Sequence, residues 1–179
     1  MTDGFDQPMP KIEVVTLIDE VPDELEGTIR AAVGAIVHDA GFGSFDLSIA
    51  IVSDATIQQA NRQYLDHDYP TDVLSFRLDE YAESSSSHAP SPSEQTLEGE
   101  VLVSWDTACR QAALFDWAPS SECLLYVVHG TLHLIGHDDR DEHDRQEMRK
   151  AERAVLATFG LAPHYDRDVS ETAEEEAGS

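Results

Sequence analysis

The chain has 179 residues, of which 41% are hydrophobic, and this length and composition fit one globular domain with its own core. No window reaches the roughly 18 consecutive apolar residues of a membrane span, and the N-terminus lacks the pattern of a signal peptide, so a cytoplasmic protein is the default expectation. The formal charge of −25 argues against nucleic-acid binding, although binding depends on where the 11 basic residues cluster.

The first half of the chain predicts two strands that alternate with two helices. Branched residues over Ile12–Ile18 predict the first strand, and Pro22 followed by acidic residues predicts a helix start. Alternating apolar residues predict a second strand over Phe45–Val52, and Ser53 is a suitable cap for a helix that runs through Tyr64. The apolar positions of the first helix recur at helical spacing and are Leu25, Ile29, Ala32, Val33, Ile36 and Val37.

A turn, a short strand and a loop follow. Residues 68–76 (DYPTDVLSF) predict the turn and the strand. Residues 82–96 (AESSSSHAPSPSEQT) cannot build a core, so we expect a flexible surface loop there. The run Leu97–Trp105 predicts a fourth strand, and Asp106 is a suitable cap for a helix that runs through Phe115.

Two further helices complete the predicted domain. Pro119 opens the first of them, and an amphipathic helix covers Arg140–Phe159. The order β-α-β-α-β-β-α-α-α indicates a small mixed α/β (α+β) domain, in which helices pack on a four-stranded sheet. We expect a single domain over residues 11–165, a polar N-terminal extension over 1–10 and an acidic C-terminal tail over 166–179.

A metal-binding pattern lies at the end of the penultimate helix and in the turn after it. His129 and His133 are four residues apart, so both imidazoles project from one helix face and can converge on one ion. Gly136 allows a left-handed turn that returns the chain toward the ion. Asp139 then completes the spacing H-x3-H-x2-G-x2-D, and a three-ligand zinc site leaves one position for water. We therefore predict one Zn²⁺ ion held by His129, His133 and Asp139.

Two other histidines and one glycine bear on this prediction. His137 remains an alternative third ligand, a support for a ligand or a surface residue, whereas His143 is expected at the surface. In HExxH metalloproteases a Glu directly after the first His acts as general base, and here that position is Gly130. A peptidase of that kind is therefore disfavoured. Phosphodiester hydrolysis fits an ion that lowers the pKa of its bound water toward about 7 and polarises a phosphoryl oxygen.

With these residues in place, the sequence resembles the YbeY family of endoribonucleases, also called ribosomal-RNA maturation factors. Residues 61–76 (NRQYLDHDYPTDVLSF) are similar to the family's N-x-x-Y/F-R-x-x-D-x-P-T-D-V-L-S-F. Residues 98–104 (EGEVLVS) are similar to its G-D-I-x-I-S strand, and residues 129–139 are similar to H-G-x-L-H-L-x-G-Y/H-D-H. Order and spacing agree across roughly residues 45–160, which is most of the predicted domain.

The resemblance implies a zinc-binding endoribonuclease that acts on single-stranded RNA and helps to mature the 3′ end of small-subunit (16S) ribosomal RNA. It also implies a role in ribosome quality control, with ribosomal RNA and the small ribosomal subunit as partners. No membrane partner and no organic cofactor are expected. The sequence favours neither water nor the 2′-hydroxyl as the attacking group, and it assigns no side chain as catalytic.

Two positions depart from the family pattern. The family's third histidine falls on Asp139, where a carboxylate takes over the role of ligand and makes the ion's water slightly less acidic. The family's arginine after the aromatic residue falls on Leu65, which cannot clamp a phosphate. Arg62 lies one helical turn earlier and is the candidate to contact the phosphate instead.

Three hypotheses about function follow. The leading one is a metal-dependent endoribonuclease. A second is a ribosome-assembly factor with a structural zinc, which the departures at Leu65 and Asp139 and the negative charge keep open. A third is a metal hydrolase of another substrate, such as a small phosphoester. The leading hypothesis requires basic residues around the cleft, and the candidates are Arg62, Arg77, Arg110 and Arg140.

Overall fold

Four strands and five α-helices make up the part of the chain that the computed structural model describes, which is residues 10–78, 91 and 95–166. Their order is β-α-β-α-β-β-α-α-α, so the predicted order and the mixed α/β class are confirmed. The predicted N-terminal extension, the loop over 82–96 and the acidic tail lie almost entirely outside the described residues.

The element boundaries lie within about two residues of the predicted ones. The strands are β1 (Lys11–Thr16), β2 (Ser44–Val52), β3 (Val73–Arg77) and β4 (Thr96–Ser104). The helices are α1 (Glu24–Asp39), α2 (Asp54–Leu65), α3 (Trp105–Leu114), α4 (Pro119–Leu134) and α5 (Glu142–Ala157). A short 3₁₀ turn over His164–Asp166 follows α5.

The strands form one mixed sheet in the order β1-β2-β4-β3. The first three of these run parallel, with Val14 opposite Ile49 and Ile49 opposite Val101. At the edge, β3 runs antiparallel to β4, and Leu74 lies opposite Leu102. The central strands β2 and β4 carry the buried residues of the parallel part, whereas the edge strand β1 is only partly covered.

Helices cover both faces of the sheet. Residues that alternate along β2 divide between the faces: Ile49 and Ile51 belong to the main core with α1 and α4, whereas Val52 packs with Ile57 of α2. Among the helices that the structure describes, none is both long enough and apolar enough to cross a bilayer. The six apolar positions predicted for α1 are all buried, and they are Leu25, Ile29, Ala32, Val33, Ile36 and Val37.

The helix caps follow the prediction at one site and depart from it at another. Ser53 caps α2 as predicted, since its hydroxyl accepts a hydrogen bond from the Thr56 amide. The prediction that Asp106 caps α3 is wrong, because the Ser104 hydroxyl accepts from the Thr107 amide and the helix begins two residues earlier than a cap at Asp106 would place it. Asp106 instead accepts a hydrogen bond from the Asp54 amide and so joins α3 to the start of α2.

Candidate metal centre

The second half of α4 lies directly on the sheet and carries the two predicted histidine ligands. His129 and His133 are one turn apart, and Gly130 lies between them. A Cβ atom at Gly130 would be 2.7 Å from Val101 Cγ1 and 2.9 Å from Val73 Cγ2. Glycine therefore lets the helix backbone approach β3 and β4 closely, and a glutamate at this position would collide with the sheet.

The turn after α4 returns the chain toward the two histidines. Gly136 has φ of +102°, a conformation that glycine adopts without strain, so the predicted left-handed turn is confirmed. The Gly136 amide donates to the His133 carbonyl at 3.0 Å, and the His137 amide donates to the Leu132 carbonyl at 3.0 Å. These two bonds close the helix end and direct the following residues to Asp139.

Three potential ligand atoms meet at this point. The Nε2 atoms of His129 and His133 are 3.0 Å apart, and Asp139 Oδ2 is 3.7 Å from the first and 3.9 Å from the second. A point in their common plane that is equidistant from the three atoms lies about 2.1 Å from each, close to a zinc–nitrogen or zinc–oxygen bond length. His129, His133 and Asp139 form the group among the described residues that could hold a metal ion.

The other ring nitrogen of each histidine has an acceptor. Nδ1 of His129 is 2.7 Å from Glu152 Oε1, and Nδ1 of His133 is 3.0 Å from the His137 carbonyl oxygen. Both acceptors favour the tautomer with the proton on Nδ1, which leaves the two facing Nε2 lone pairs available to a cation. The donor set therefore fits a metal ion that prefers nitrogen and carboxylate ligands.

The local electrostatics also favour positive charge. Burial by itself lowers the pKa of the His129 imidazole, but the hydrogen bond and charge of Glu152 outweigh it, with smaller contributions from Asp139 and Asp72. The pKa therefore lies above the ordinary value of 6.5. A divalent ion would benefit from the same carboxylates.

Glu152 is a residue of the site that the sequence analysis missed. Its side chain is only 5% exposed, and its second oxygen accepts a hydrogen bond of 2.6 Å from the Tyr165 hydroxyl. A signal was present in the sequence, because Glu152 lies four residues from both Met148 and Leu156 on the apolar face of α5. A charge in that position is expensive unless it is paired, and here it pairs with His129 and Tyr165.

The remaining histidines of the motif contribute differently. His137 supports His133 through its backbone carbonyl, while its side chain lines a separate shallow cavity with Asp144 and Glu147. His143 is exposed, as expected.

Two open cavities adjoin the three ligand atoms. The larger, of about 670 Å³, lies among α3, α4 and α5 and is lined by His129, Asp139 and Glu152. The smaller, of about 480 Å³, lies against β3 and is lined by both histidines and by Leu65. Leu65, at the family's arginine position, therefore lies beside the candidate metal ligands.

The predicted basic residues divide between the cleft and its surroundings. Arg110 lines the larger cavity and Arg77 the smaller, whereas Arg62 and Arg140 are among the lining residues of neither. Arg62 instead lies 3.9 Å from an Asp68 carboxylate oxygen. The sequence analysis missed two cations of the larger cavity, which α5 presents one turn apart: Arg145 and Arg149.

Comparisons with known proteins agree on one family. The family model described as Endoribonuclease YbeY matches residues 13–160. Endoribonuclease YbeY of Rhodopirellula baltica is 34% identical to this chain over 97% of the chain and 95% of the relative. Endoribonuclease YbeY of Salinibacter ruber is 39% identical over 76% of the chain and 85% of the relative. A solution structure of a Thermotoga maritima protein shares the fold, with a TM-score of 0.56 and 23% identity over 87% of this chain and 95% of that one.

Proposed function

The chain belongs to the YbeY family of endoribonucleases, and from this premise we propose that it is a metal-dependent endoribonuclease specific for single-stranded RNA. One observation carries the proposal for this chain's own residues. Two histidine Nε2 atoms and one carboxylate oxygen converge within bonding reach of a single ion, in an open cleft beside three arginines. This arrangement suits the cleavage of a phosphodiester, which needs a cation near the phosphorus and access for an extended strand.

The proposed ligand set is His129, His133 and Asp139, and the proposed ion is one Zn²⁺. Two imidazoles and one carboxylate form an ordinary zinc site with a position open to substrate. Asp139 rather than the His137 side chain is proposed as third ligand, because its oxygen is 3.7 Å and 3.9 Å from the two Nε2 atoms.

An ion held by His129, His133 and Asp139 would supply Lewis-acid chemistry for the cleavage of a phosphodiester. The Glu152 carboxylate keeps the His129 proton on Nδ1 and fixes the ring plane, and the His137 carbonyl does the same for His133. Arg145 and Arg149 line the cleft on the α5 side, where guanidinium groups can hold the phosphates that flank the cut.

The proposal extends to the biological substrate. The family resemblance supports maturation of the 3′ end of small-subunit ribosomal RNA, a part in ribosome quality control, and work with the small ribosomal subunit in the cytoplasm. A single strand can follow the open cleft with its bases unpaired, whereas a duplex keeps its bases stacked and paired. Cleavage of a single strand, with the same sequence intact in duplex form, is the expected outcome in vitro.

Arg62 remains a proposed contact to phosphate. Its side chain is 63% exposed and, among the described residues, its ion pair with Asp68 is a long one of 3.9 Å, so it is able to turn toward a bound strand. If the Arg62→Ala variant cleaves RNA at the same rate as the original chain, Arg62 does not contribute a phosphate contact to the reaction.

The ligand set is tested by metal content and RNA cleavage measured in parallel. We expect one zinc ion per chain, and loss of both zinc and cleavage in His133→Ala and Asp139→Ala. His137→Ala is expected to keep its zinc, because the backbone carbonyl that supports His133 is retained. His143→Ala is the matched control, since it removes an exposed histidine from the same segment. Unchanged zinc binding in Asp139→Ala would overturn the three-ligand assignment.

One observation favours a second candidate, a zinc-containing assembly factor without cleavage activity. Leu65 lies at the cavity beside His129 and His133, where the family pattern has an arginine that could stabilise the charge of a phosphate in the reaction. Stable zinc binding without cleavage of any single-stranded RNA would favour this candidate over the endoribonuclease.

A further inference from the structure

Two exposed tyrosines directly precede residues that line the two cavities, since Tyr64 precedes Leu65 and Tyr69 precedes Pro70. Tyr64 is 63% exposed and Tyr69 is 55% exposed, and the His67 ring stacks on the Tyr69 ring with centroids 5.4 Å apart and planes 17° from parallel. We call these three residues, Tyr64, His67 and Tyr69, the aromatic rim. Large exposed rings cost free energy in water, and a cluster of them commonly marks a binding surface.

The rim is held in place by α2. The buried Asn61 side chain donates a hydrogen bond of 2.9 Å to the Tyr69 carbonyl oxygen. The Gln58 amide donates at 3.0 Å to an Asp68 carboxylate oxygen, which ties the residue between the two stacked rings to the same helix. The segment that carries His67 and Tyr69 is therefore anchored to α2, which reduces the conformational entropy lost on binding.

The rim continues into the candidate metal centre. Pro70 and Asp72, which follow Tyr69, line the larger cavity together with His129. Leu65, which follows Tyr64, lines the smaller cavity beside His133. The rim is therefore adjacent in the chain to residues of both cavities.

The negative charge of the chain indicates that an aromatic surface would contribute affinity for RNA that phosphate contacts cannot supply. The chain carries 36 acidic against 11 basic residues, so phosphate contacts are few and long-range attraction is absent. Stacking of bases on aromatic rings needs no cation, and every base has a face that can stack. An apolar Leu65 beside the ligands is consistent with recognition of bases in this region rather than of phosphates.

We propose that the aromatic rim is a base-stacking platform for the single-stranded RNA substrate, with Tyr69 and His67 as its main surface. This inference rests on the proposed function, because it assigns the occupant of the rim as the strand that enters the metal cleft. It gives a physical basis for single-strand specificity, since bases in a duplex are already stacked on each other and cannot open onto the rim.

The test compares RNA with bases and RNA without them. Anisotropy titrations of labelled octa-adenylate and of an abasic strand of equal length, made with the zinc-containing full chain, give the affinity due to bases. We expect octa-adenylate to bind at least ten-fold more tightly than the abasic strand. Tyr69→Ala is expected to lose about ten-fold for octa-adenylate and little for the abasic strand, whereas Tyr69→Phe and Tyr69→Trp retain the affinity.

The matched control is Leu17→Ala, which removes a side chain that is 64% exposed beyond β1, at the opposite edge of the sheet from β3. Equal affinity for the two strands, or no loss of affinity in Tyr69→Ala, would overturn the inference and leave the rim as a surface for a protein partner.

A separate assay of cleavage, on unlabelled RNA, distinguishes this inference from the proposed function. Base-dependent binding without cleavage would contradict the proposed function alone, and cleavage without base-dependent binding would contradict the platform alone.

Discussion

At the scale of single residues, the buried carboxylate of Glu152 is central to the metal centre. It accepts from His129 at 2.7 Å and from the Tyr165 hydroxyl at 2.6 Å, so both of its oxygens are occupied at the cost of burying a charge. A carboxylate behind a ligand histidine raises the basicity of that histidine and fixes its orientation. In the proposed metal centre, Glu152 is therefore a positioning residue that would act on the ion through His129.

Replacing Glu152 by glutamine should weaken zinc binding by about 10–100-fold. The amide keeps the volume of the side chain but lacks the negative charge that supports His129. Zinc affinity is measured by competition with a chelator of known affinity. The cleavage rate of Glu152→Gln, relative to the original chain, should be higher at saturating zinc than at limiting zinc.

The control for this prediction is Glu147→Gln, on the exposed side of the same helix, where the carboxylate lies 3.8 Å from the Lys150 ammonium group. Equal zinc affinity in Glu152→Gln and Glu147→Gln would show that the buried carboxylate does not support the ion.

At the scale of elements, the contact of α4 with the sheet decides where both histidines lie. The helix is buried on almost all sides, and Gly130 allows its backbone to approach Val101 and Val73. The same glycine that removes the general base of an HExxH site is thus required for packing.

Gly130→Ala should destabilise the fold by about 1–2 kcal/mol. The added methyl group would lie within 3.0 Å of two branched strand side chains, and such overpacking costs about 1–3 kcal/mol, of which the better helix propensity of alanine offsets about 0.5–1 kcal/mol. The free energy of unfolding is measured by urea denaturation.

Gly27→Ala provides the opposite expectation within the same molecule. A Cβ atom at Gly27 in α1 would meet nothing within 4 Å, so this substitution should stabilise by about 0.5–1 kcal/mol. If both alanine substitutions stabilise the chain, then close packing at Gly130 does not determine its identity.

A second junction between elements joins α2 to α3 through one carboxylate. Asp54 accepts hydrogen bonds from Ser104 at 2.5 Å and Thr107 at 2.8 Å, and its other oxygen accepts from Arg110 at 2.6 Å. Burial raises the pKa of Asp54, but the hydrogen bonds from Arg110, Ser104 and Thr107 outweigh it, so the pKa lies below the ordinary value.

The junction should therefore stabilise the fold in a pH-dependent way. A lowered pKa gives stability that is present above the unfolded-state pKa of about 3.9 and is lost as the pH falls through the folded-state value. Asp54→Asn should cost about 1–3 kcal/mol at pH 7, from weakened charge-assisted hydrogen bonds. The difference from the original chain should shrink as the pH falls below about 4. A difference that stays constant over this range would contradict the role of the charge.

At the scale of the whole molecule, the negative charge limits how phosphate is recognised. The larger cavity is lined by Arg110, Arg145 and Arg149, and two of these already pair with carboxylates: Arg110 with Asp54 and Arg145 with Glu142. Recognition that depends on so few cations is weakly sensitive to salt.

The affinity for single-stranded RNA should accordingly fall only gently with salt. Three phosphate contacts predict a slope of log affinity against log salt of about −2, at about −0.7 per contact. Arg149→Ala should reduce the steepness by about 0.7. Titrations between low and physiological salt measure the slope, and a value steeper than about −4 would mean that cations elsewhere in the chain dominate binding.

Local patterns in the sequence were sufficient to predict much of the fold and the two histidines of the candidate site. The apolar spacing of α1 predicted all six of its buried positions, and the four-residue interval between His129 and His133 predicted their shared face. Gly136 predicted the left-handed turn. The cap of α3 was placed two residues too late, because the side chains at positions 104 and 106 are both suitable caps.

The sequence by itself therefore determined what depends on the repeat of a helix or strand and on the φ of a single residue. The tertiary structure decided which distant residues meet. Glu152 reaches His129 across 23 positions because α5 docks against α4, and the arginines of α5 enter the cleft for the same reason. Leu65 lies at the same cavity as His129 and His133 because β3 adds to the edge of the sheet next to β4. Helix docking and strand pairing depend on the packing of whole faces, and no local pattern of residues specifies which faces will meet.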